Sequence, residues 1–389
     1  MSLRRPDLVR VVRDIFVDEL SRSRGSRFDP AEAGGWTETT SVRAEGIALD
    51  SLERFTLASR LNETFLLYES GVEDNLLRAR TLGDTVDIIA AGRKLAGDQL
   101  KFYTGGTTGA ARILTHEWND LVAEIRFLAD LFPPRKRVIV TVPVHHIYGF
   151  LFGVLLPQAL DVPAVDAQHS LLSGPRRPAP GDLVVSAPFL WKLLQPQAAG
   201  WGNDVVGTTS TAPMPADTAR SLTTAGLAAL YEIYGSSETA GVGWRTNPDE
   251  PFTLFPHWSA GDDPATLVRG ERRYQSPDYL TWISPRSFIP RGRRDAVVQV
   301  AGKNVDTEEL AELIREVVPE VTDCAVRLGN DGRIRALVVP GSTVVDEQGA
   351  LPNLVVERLS GKVADVAIPG QVIVADSLPR TPVGKIGEF

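Results

Sequence analysis

The N-terminal part of the chain carries its hydrophobic side chains at the spacing of α-helices. One helix is predicted over residues 7–21, because the apolar positions there fall on one face: Leu8, Val11, Val12, Ile15, Phe16 and Leu20. A second helix is predicted to begin at Asp50-Ser51, since either side chain is a natural N-cap, and a third around residues 82–91. The pattern predicts a small all-α unit that ends near residues 92–97.

The pattern changes in the middle of the chain, where short apolar runs alternate with helical ones. The predicted strands are residues 138–142 and 183–186, and the predicted helices are residues 118–131, 150–160 and 216–225. Strands that alternate with helices are typical of a mostly parallel sheet. A second set follows, with a helix at residues 307–317 and strands at residues 296–300, 324–328, 335–339 and 372–375. We therefore predict an α/β fold with a small α+β unit at its C-terminal end.

Composition and charge narrow the classes of function. The 389 residues carry a net charge of −8, which argues against a general nucleic-acid binder and against an electrostatic membrane anchor. The single cysteine, Cys324, excludes an internal disulfide framework and a cysteine-based zinc site. The N-terminus is charged, unlike a secretory signal, and the most apolar stretch, residues 150–165, is too short and too interrupted to span a bilayer. We expect a cytoplasmic protein without a nucleic-acid or membrane partner.

The segment Tyr103–Arg112 concentrates glycines and threonines between two apolar runs, and a helix is predicted from Thr115 onward. Glycines let backbone N–H groups turn toward an anion, while threonine hydroxyls and the basic Arg112 add further donors. The segment lacks the Walker pattern, because no Gly-Lys-Ser/Thr follows at the required spacing. It is a candidate phosphate loop, with a plain turn as the alternative.

A second candidate is the segment Tyr231–Ala240, where an apolar strand runs into a Gly/Ser turn with one acid. Loops at the carboxyl ends of parallel strands build the ligand crevice of an open sheet. Tyr234 could stack on a base, and Glu238 could hold a metal ion that is bound to phosphate. The alternative is a strand-to-helix turn whose glutamate is only solvated.

Two further polar segments follow toward the C-terminus. The first comprises Ser276-Pro277-Asp278 and Gly292-Arg293-Arg294-Asp295, and the second is Leu378–Ile386, which contains Lys385. A lysine held by a Pro/Gly-rich loop suits a mobile positive charge that is delivered to an anionic site. The alternative is a frayed basic tail.

The order of these four elements resembles that of the adenylate-forming enzymes, the superfamily of acyl-CoA synthetases, firefly luciferase and peptide-synthetase adenylation domains. The resemblance covers residues 98–389 and implies an adenylate-forming core that is truncated before the phosphate loop, followed by a small α+β C-terminal subdomain. It implies an ATP site formed by the following residues: Thr104, Gly105, Gly106, Thr107, Thr108, Gly109, Arg112, Tyr234, Gly235, Ser236, Ser237 and Asp278.

The resemblance also implies individual roles. Glu238 would hold Mg²⁺, and Arg293 and Lys385 would offset charge on the phosphates and on the carboxylate. Asp295 matches the hinge residue about which the C-terminal subdomain rotates in this family. These roles imply that a carboxylic acid attacks the α-phosphate of Mg-ATP to give acyl-AMP and pyrophosphate, after which a thiol displaces AMP. A non-catalytic scaffold with a degenerate adenylation domain is the alternative, and the retained pair Arg293 and Lys385 argues against it.

The segment Pro143–Gly149 resembles the stretch that lines the acyl pocket of the family. Its side chains His145, His146 and Tyr148 would form a compact pocket with polar handles, which favours an aromatic acid such as a hydroxybenzoate or a cinnamate over a long fatty acid. In its short core before the phosphate loop, the chain is similar to the short ligases that activate hydroxybenzoate-type acids in secondary metabolism.

Residues 7–95 resemble an acyl carrier protein, and Ala48–Glu53 matches the carrier motif around its modified serine. The resemblance implies 4′-phosphopantetheine on Ser51, where a helix N-terminus tolerates the added phosphate. The alternative is that Asp50-Ser51 is only a helix N-cap. We predict three domains, a carrier-like one over residues 1–95, an adenylation core over 96–292 and a mobile subdomain over 293–389. The predicted thiol acceptor is an acyl carrier protein, with CoA as the alternative.

Overall fold

The computed structural model describes residues 1–95, 98–103, 112–168, 176–294, 296–329, 331–341, 349–380, 386, 387 and 389. These residues form two compact units, of which the first extends to His257 and the second begins at Trp258. The predicted domain boundaries at residues 95 and 292 were drawn from resemblance to functional domains, and they stay predictions.

The first unit begins with three helices, α1 (Arg5–Arg24), α2 (Ser51–Phe65) and α3 (Leu82–Arg93). A hairpin of β1 (Gln99–Tyr103) and β2 (Ile113–Glu117) follows. The other helices are α4 (Trp118–Leu131), α5 (Ile147–Phe150), α6 (Leu156–Leu160), α7 (Pro188–Ala198) and α8 (Ala216–Thr224), and a π-helical segment, Leu151–Leu155, joins α5 to α6. The remaining strands are β3 (Arg137–Val140), β4 (Ala164–Asp166), β5 (Asp182–Ser186), β6 (Val206–Thr209), β7 (Ala229–Ser236), β8 (Ala240–Arg245) and β9 (Phe252–Leu254).

Seven strands of the first unit lie side by side in the order β9-β8-β7-β6-β5-β3-β4. The five from β7 to β4 are mutually parallel, whereas β8 is antiparallel to both of its neighbours. Parallel strands are covered on both faces, so the central strands β3, β5 and β6 are buried along almost their whole length, as in Leu183, Val184 and Val185. The predicted parallel α/β core is confirmed.

Helices cover this sheet on both sides. Ile139 of β3 packs into a cluster with Trp191 and Leu222 of α7 and α8. The next residue, Val140, lies against Gly153 of the π-helical segment, where an added Cβ would come within 2.9 Å of it. Because successive residues of a strand point to opposite faces, the two helical layers lie on opposite sides of the sheet.

The three N-terminal helices belong to the first unit because polar contacts attach them to the sheet and to the hairpin. Arg10 of α1 donates to the Asp166 carboxylate (3.1 Å) and to the Gly153 carbonyl (2.7 Å). The Tyr103 hydroxyl at the end of β1 donates to Glu63 of α2 (2.6 Å). The predicted helices are confirmed, and the carrier-like identity of this region stays a prediction.

The second unit contains three antiparallel arrangements and a mixed sheet. Its strands are β10 (Ser259–Ala260), β11 (Thr266–Arg269), β12 (Arg272–Gln275), β13 (Asp278–Ser284), β14 (Ser287–Arg293), β15 (Val297–Val300), β16 (Lys303–Asp306), β17 (Val321–Leu328), β18 (Ile334–Pro340) and β19 (Gln371–Val374). Its helices are α9 (Thr307–Val317) and α10 (Leu351–Leu359). Strand β18 pairs antiparallel with β17 and parallel with β19, and α9 and α10 bury Ile314 and Val355 in the same core. The part of this unit from β15 onward is the predicted small α+β C-terminal region.

None of the helices in the described part of the chain is both long enough and apolar enough to cross a membrane.

Candidate active site

The candidate phosphate loop is flanked by the paired ends of β1 and β2. Tyr103 and Ile113 are cross-strand partners, and Arg112, just before β2, is exposed. The predicted residues Thr104–Gly109 lie outside the described residues. The prediction of a helix from Thr115 is wrong, because residues 113–117 pair with β1 as a strand and the helix begins at Trp118.

The second candidate segment is the turn of the β7–β8 hairpin, Tyr234–Thr239, rather than a strand-to-helix turn. Gly235 is required there, because an added Cβ would lie 2.1 Å from the Ala240 carbonyl oxygen. The buried Thr239 hydroxyl accepts from the Ser236 backbone N–H (3.1 Å), and the Ser236 hydroxyl accepts from the N–H groups of Glu238 and Thr239 (both 3.2 Å). The backbone of the turn is thus fixed by its own hydroxyl groups.

Two buried side chains from other elements hold this hairpin. His116 of β2 lies with Nε2 2.8 Å from the Ser237 carbonyl oxygen, and since a carbonyl only accepts, Nε2 carries the proton. Glu124 of α4, fully buried, accepts from the Gly241 backbone N–H (3.0 Å). Sequence reasoning missed both residues, because their partners lie more than a hundred positions away and neither belongs to a local motif.

The turn presents two candidate ligand groups. The Tyr234 ring is half-buried and packs against Phe252 (centroids 5.7 Å apart). Glu238 is exposed. The described residues contain no group of three acidic, histidine or cysteine side chains that could enclose a metal ion. Mg²⁺ that is bound through nucleotide phosphates needs only one or two protein carboxylates, so a single exposed Glu238 fits it.

In the second unit the structure brings Asp278 and Arg293 together. They are cross-strand partners at the open end of the β13–β14 hairpin. The Asp278 backbone N–H donates to the buried Ser276 hydroxyl (3.1 Å), and Glu308 of α9 accepts from the Arg293 backbone N–H (3.4 Å). Burial raises the pKa of Glu308 above its usual value, although Arg293 opposes this effect. The acidic Asp278 and the basic Arg293 therefore lie on adjacent strands at the same end of this hairpin.

The acyl-pocket segment lies between β3 and α5. His145 is buried, and its Nδ1 lies 2.7 Å from Asp14 Oδ2. The buried Tyr148 hydroxyl donates to the Ser186 carbonyl at the end of β5 (3.1 Å), and burial raises the pKa of this phenol. His146 is half-buried, and burial, with the neighbouring His145 as second cause, lowers its pKa to about 3. His145 and Tyr148 thus have protein partners, which leaves His146 as the candidate polar handle.

The other predicted residues divide into two groups. Asp295 and Lys385 lie outside the described residues. Ser51 is the exposed first residue of α2, and Asp50 before it is the N-cap, with a capping box to Glu53. The predicted N-cap is therefore confirmed at Asp50.

Comparison with known proteins gives full-length relatives, although no family model matches the chain. The chain is 36% identical over 397 residues to the 4-coumarate–CoA ligase of Halorhodospira halophila, with 99% of each chain covered. It is 33% identical to the 4-coumarate–CoA ligase of Rhodobacter capsulatus, over 95% of this chain and 97% of that one.

Solved structures share the fold at lower identity. An ATP-bound MatB chimera has a TM-score of 0.64 at 18% identity, over 97% of this chain and 90% of that one. The O-succinylbenzoate–CoA synthetase MenE of Bacillus subtilis in complex with AMP has a TM-score of 0.61 at 14% identity, over 97% and 91%. From these relatives and this fold, the chain belongs to the adenylate-forming superfamily and is an AMP-producing acid–thiol ligase.

Proposed function

We propose that this ligase activates an aromatic carboxylic acid of the hydroxycinnamate or hydroxybenzoate class with Mg-ATP. The observation that carries the proposal is the match over 99% of the chain to a protein named 4-coumarate–CoA ligase. The half-buried, neutral His146 supports it, because a neutral imidazole can donate or accept one hydrogen bond beside an aromatic ring. The proposal includes a cytoplasmic location and the three functional domains 1–95, 96–292 and 293–389.

The reaction has two displacement steps. A carboxylate oxygen of the acid attacks the α-phosphorus of ATP, and pyrophosphate leaves; a thiolate then attacks the carbonyl carbon of the acyl-AMP, and AMP leaves. Mg²⁺, when bound, neutralises phosphate charge in the first step, and Glu238 would hold it. Tyr234 would stack on adenine, with Gly235, Ser236 and Ser237 following it in the same turn.

The remaining roles concern ribose, phosphate and the carboxylate. The Asp278 carboxylate would accept from ribose hydroxyls, and the Arg293 guanidinium beside it would donate to ribose or phosphate oxygens. Residues 104–109 and Arg112 would bind the phosphates. Lys385 would neutralise charge as the acid attacks, and Asp295 would be the hinge.

CoA is the proposed thiol acceptor, because the relatives that span most of the chain are named CoA ligases. The acyl-carrier alternative has one feature in its favour, an exposed Ser51 at the start of α2. Intact-mass spectrometry after incubation with CoA and a phosphopantetheinyl transferase separates the two. We expect an unchanged mass and acyl-CoA as the product; a phosphopantetheine increment that is lost in Ser51→Ala would instead support the carrier.

Pyrophosphate release over a panel of acids tests the activation step. We expect hydroxycinnamates and hydroxybenzoates to be better substrates than acetate or palmitate, and palmitate as the best substrate would contradict the proposal. Lys385→Ala should lower the adenylation rate by a factor that corresponds to about 3 kcal/mol, with ATP binding nearly unchanged, because the charge acts mainly in the transition state. Lys362→Ala, which removes an exposed lysine after α10, is the matched control and should leave the rate unchanged.

A further inference from the structure

A cluster of charged side chains is buried where helix α1 meets the acyl-pocket segment. Asp14 and His145 are each 8% exposed, and Arg60 of α2 is 6% exposed. Removing charges from water is costly, and apolar side chains of similar size often stabilise a core equally well. Stability alone therefore does not explain why charged side chains, rather than apolar ones, are buried at this position.

Asp14 holds His145 through two hydrogen bonds, one to its backbone and one to its ring. Its Oδ2 accepts from the His145 backbone N–H at 3.0 Å and from the ring Nδ1–H at 2.7 Å. Because one oxygen atom binds both groups of the same residue, rotation of the ring about its side-chain bonds is restricted. Nδ1 carries a proton, since a carboxylate at this distance needs a donor.

The other ring nitrogen faces a second carboxylate of the same helix. His145 Nε2 lies 3.5 Å from Asp18 Oδ2. That oxygen is also 2.6 Å from Arg60 Nη1 and 2.9 Å from Arg22 Nη2. Asp18 therefore forms ion pairs with two guanidinium groups and lies beside the His145 ring.

His145 in turn contacts the candidate polar handle. The His145 and His146 rings have centroids 4.3 Å apart and an angle of 41° between their planes. Because Asp14 holds the His145 ring at Nδ1, this ring limits the side-chain conformations open to the His146 ring packed on it. His146 precedes α5 as its N-cap residue, so its backbone is also fixed by the start of that helix.

We propose that Asp14 is a positioning residue for the acyl pocket, and that it acts through His145 to hold His146 in the orientation that contacts the acid. This inference rests on the proposed aryl-acid activation and adds a determinant on the N-terminal helix. The alternative is that the cluster only attaches α1 to the sheet, which predicts a loss of stability without a specific effect on the acid.

Steady-state kinetics with Asp14→Ala, Asp14→Asn and Asp7→Ala separate the two. Asp7 is the matched control, because it is a buried aspartate of the same helix (5% exposed) and pairs with Arg4 at 2.9 Å. Asp14→Ala should raise KM for the acid about tenfold with KM for ATP unchanged, because a misplaced contact weakens acid binding alone. Asp14→Asn keeps an acceptor oxygen but loses the negative charge, so it should raise KM for the acid by a smaller factor, about threefold. Asp7→Ala should change neither KM.

Equal changes in both KM values for Asp14→Ala, or the same acid effect in Asp7→Ala, would overturn the proposal. If Asp14→Ala does not fold, Asp14→Asn in the His145→Phe background serves instead. Phenylalanine at position 145 keeps a ring against His146 but lacks the Nδ1 atom that Asp14 binds. Asp14→Asn should therefore raise KM for the acid in the wild type and should have no further effect in the His145→Phe background. A further effect of the same size would contradict transmission through His145.

A readout without turnover keeps the inference separate from the proposed function. Imidazole ¹⁵N and ¹H resonances of His146 report the environment of its ring. We expect them to shift in Asp14→Asn and to stay in place in Asp7→Ala, whether or not an aryl acid is activated. Unchanged His146 resonances in Asp14→Asn would exclude the positioning role, whereas failure of every aryl acid in the kinetic assay would contradict the proposed function only.

Discussion

Two turns of the first unit match functional motifs, and they are held in different ways. The β7–β8 turn is bound from outside by His116 of β2, and Glu124 of α4 binds the strand that follows it. The turn before α2 is held by contacts that fix the start of that helix. Asp50 and Glu53 form the capping box, and Arg24 donates to the Glu53 carboxylate (2.6 Å) and to the Ala48 carbonyl (3.0 Å).

The different contacts indicate that the β7–β8 turn is a preorganised ligand site, whereas the turn before α2 only begins that helix. Around Glu238, buried groups of distant elements fix the backbone while the carboxylate stays exposed, which is what a ligand loop requires. Around Ser51, the capping box satisfies groups at the helix N-terminus, where one cap is typically worth about 1 kcal/mol, and Arg24 of α1 orients Glu53 of that box and also binds the Ala48 carbonyl. We infer a ligand-binding role for the first turn and a capping role for the second.

The largest effect is expected from Gly235→Ala. The new Cβ would lie 2.1 Å from the Ala240 carbonyl oxygen and 3.1 Å from the Gly241 Cα, both in the opposing backbone. The hairpin must therefore open, which should cost about 1–3 kcal/mol of the free energy of unfolding. The displaced turn should also lower pyrophosphate release about a hundredfold.

Urea unfolding and pyrophosphate release measure the two effects. Gly34→Ala is the control, because no atom lies within 4 Å of the Cβ position there. If Gly235→Ala behaves like Gly34→Ala, the turn is not the rigid element that the contacts describe.

A smaller effect is expected from His116→Ala. The substitution leaves the Ser237 carbonyl without its donor at 2.8 Å. A fully buried acceptor without a partner costs about 1–3 kcal/mol; Ser237 is half-buried, so we expect a loss of about 1 kcal/mol and a fall of about tenfold in kcat/KM for ATP. His116→Gln offers an amide N–H in its place and should recover part of the loss. No recovery in glutamine, together with an unchanged KM for ATP, would mean that His116 only fills space beneath the turn.

Most helices, and the buried strands β3 and β5, were predictable from the sequence, because they follow from local periodicity, whereas strands β9–β14 were not predicted. Helix α9 has the predicted bounds Thr307–Val317, and α4 the predicted bounds Trp118–Leu131. The antiparallel strand β8 was missed, since its glycines Gly241 and Gly243 weaken the alternating pattern, and its pairing with β7 depends on partners elsewhere in the chain.

The site was predictable only where its residues are neighbours in sequence. The turn around Glu238 and the segment with His146 are local motifs. The contacts His116–Ser237 and Asp14–His145 join residues 121 and 131 positions apart, and no local pattern indicates either of them. His145 illustrates the consequence, because its contact with Asp14 was not predicted, while its place in the acyl pocket stays a prediction.

The smallest effect is expected from Ala48→Gly, and its sign tests the assignment of the second turn. Ala48 has a φ of 54°, a left-handed conformation that costs an L-residue about 1–2 kcal/mol and glycine almost nothing. Glycine also gains about 0.4–1 kcal/mol of entropy in the unfolded chain, so the net stabilisation should be about 0.5 kcal/mol. Ala91→Gly, at an exposed position of α3, should instead destabilise by about 1 kcal/mol. Urea unfolding of both variants gives the signs, and pyrophosphate release should be the same in wild type and Ala48→Gly. If this turn serves only to begin α2, Ala48→Gly should change the free energy of unfolding alone. A change in the ligase rate without a change in that free energy would instead indicate that the turn has a functional role.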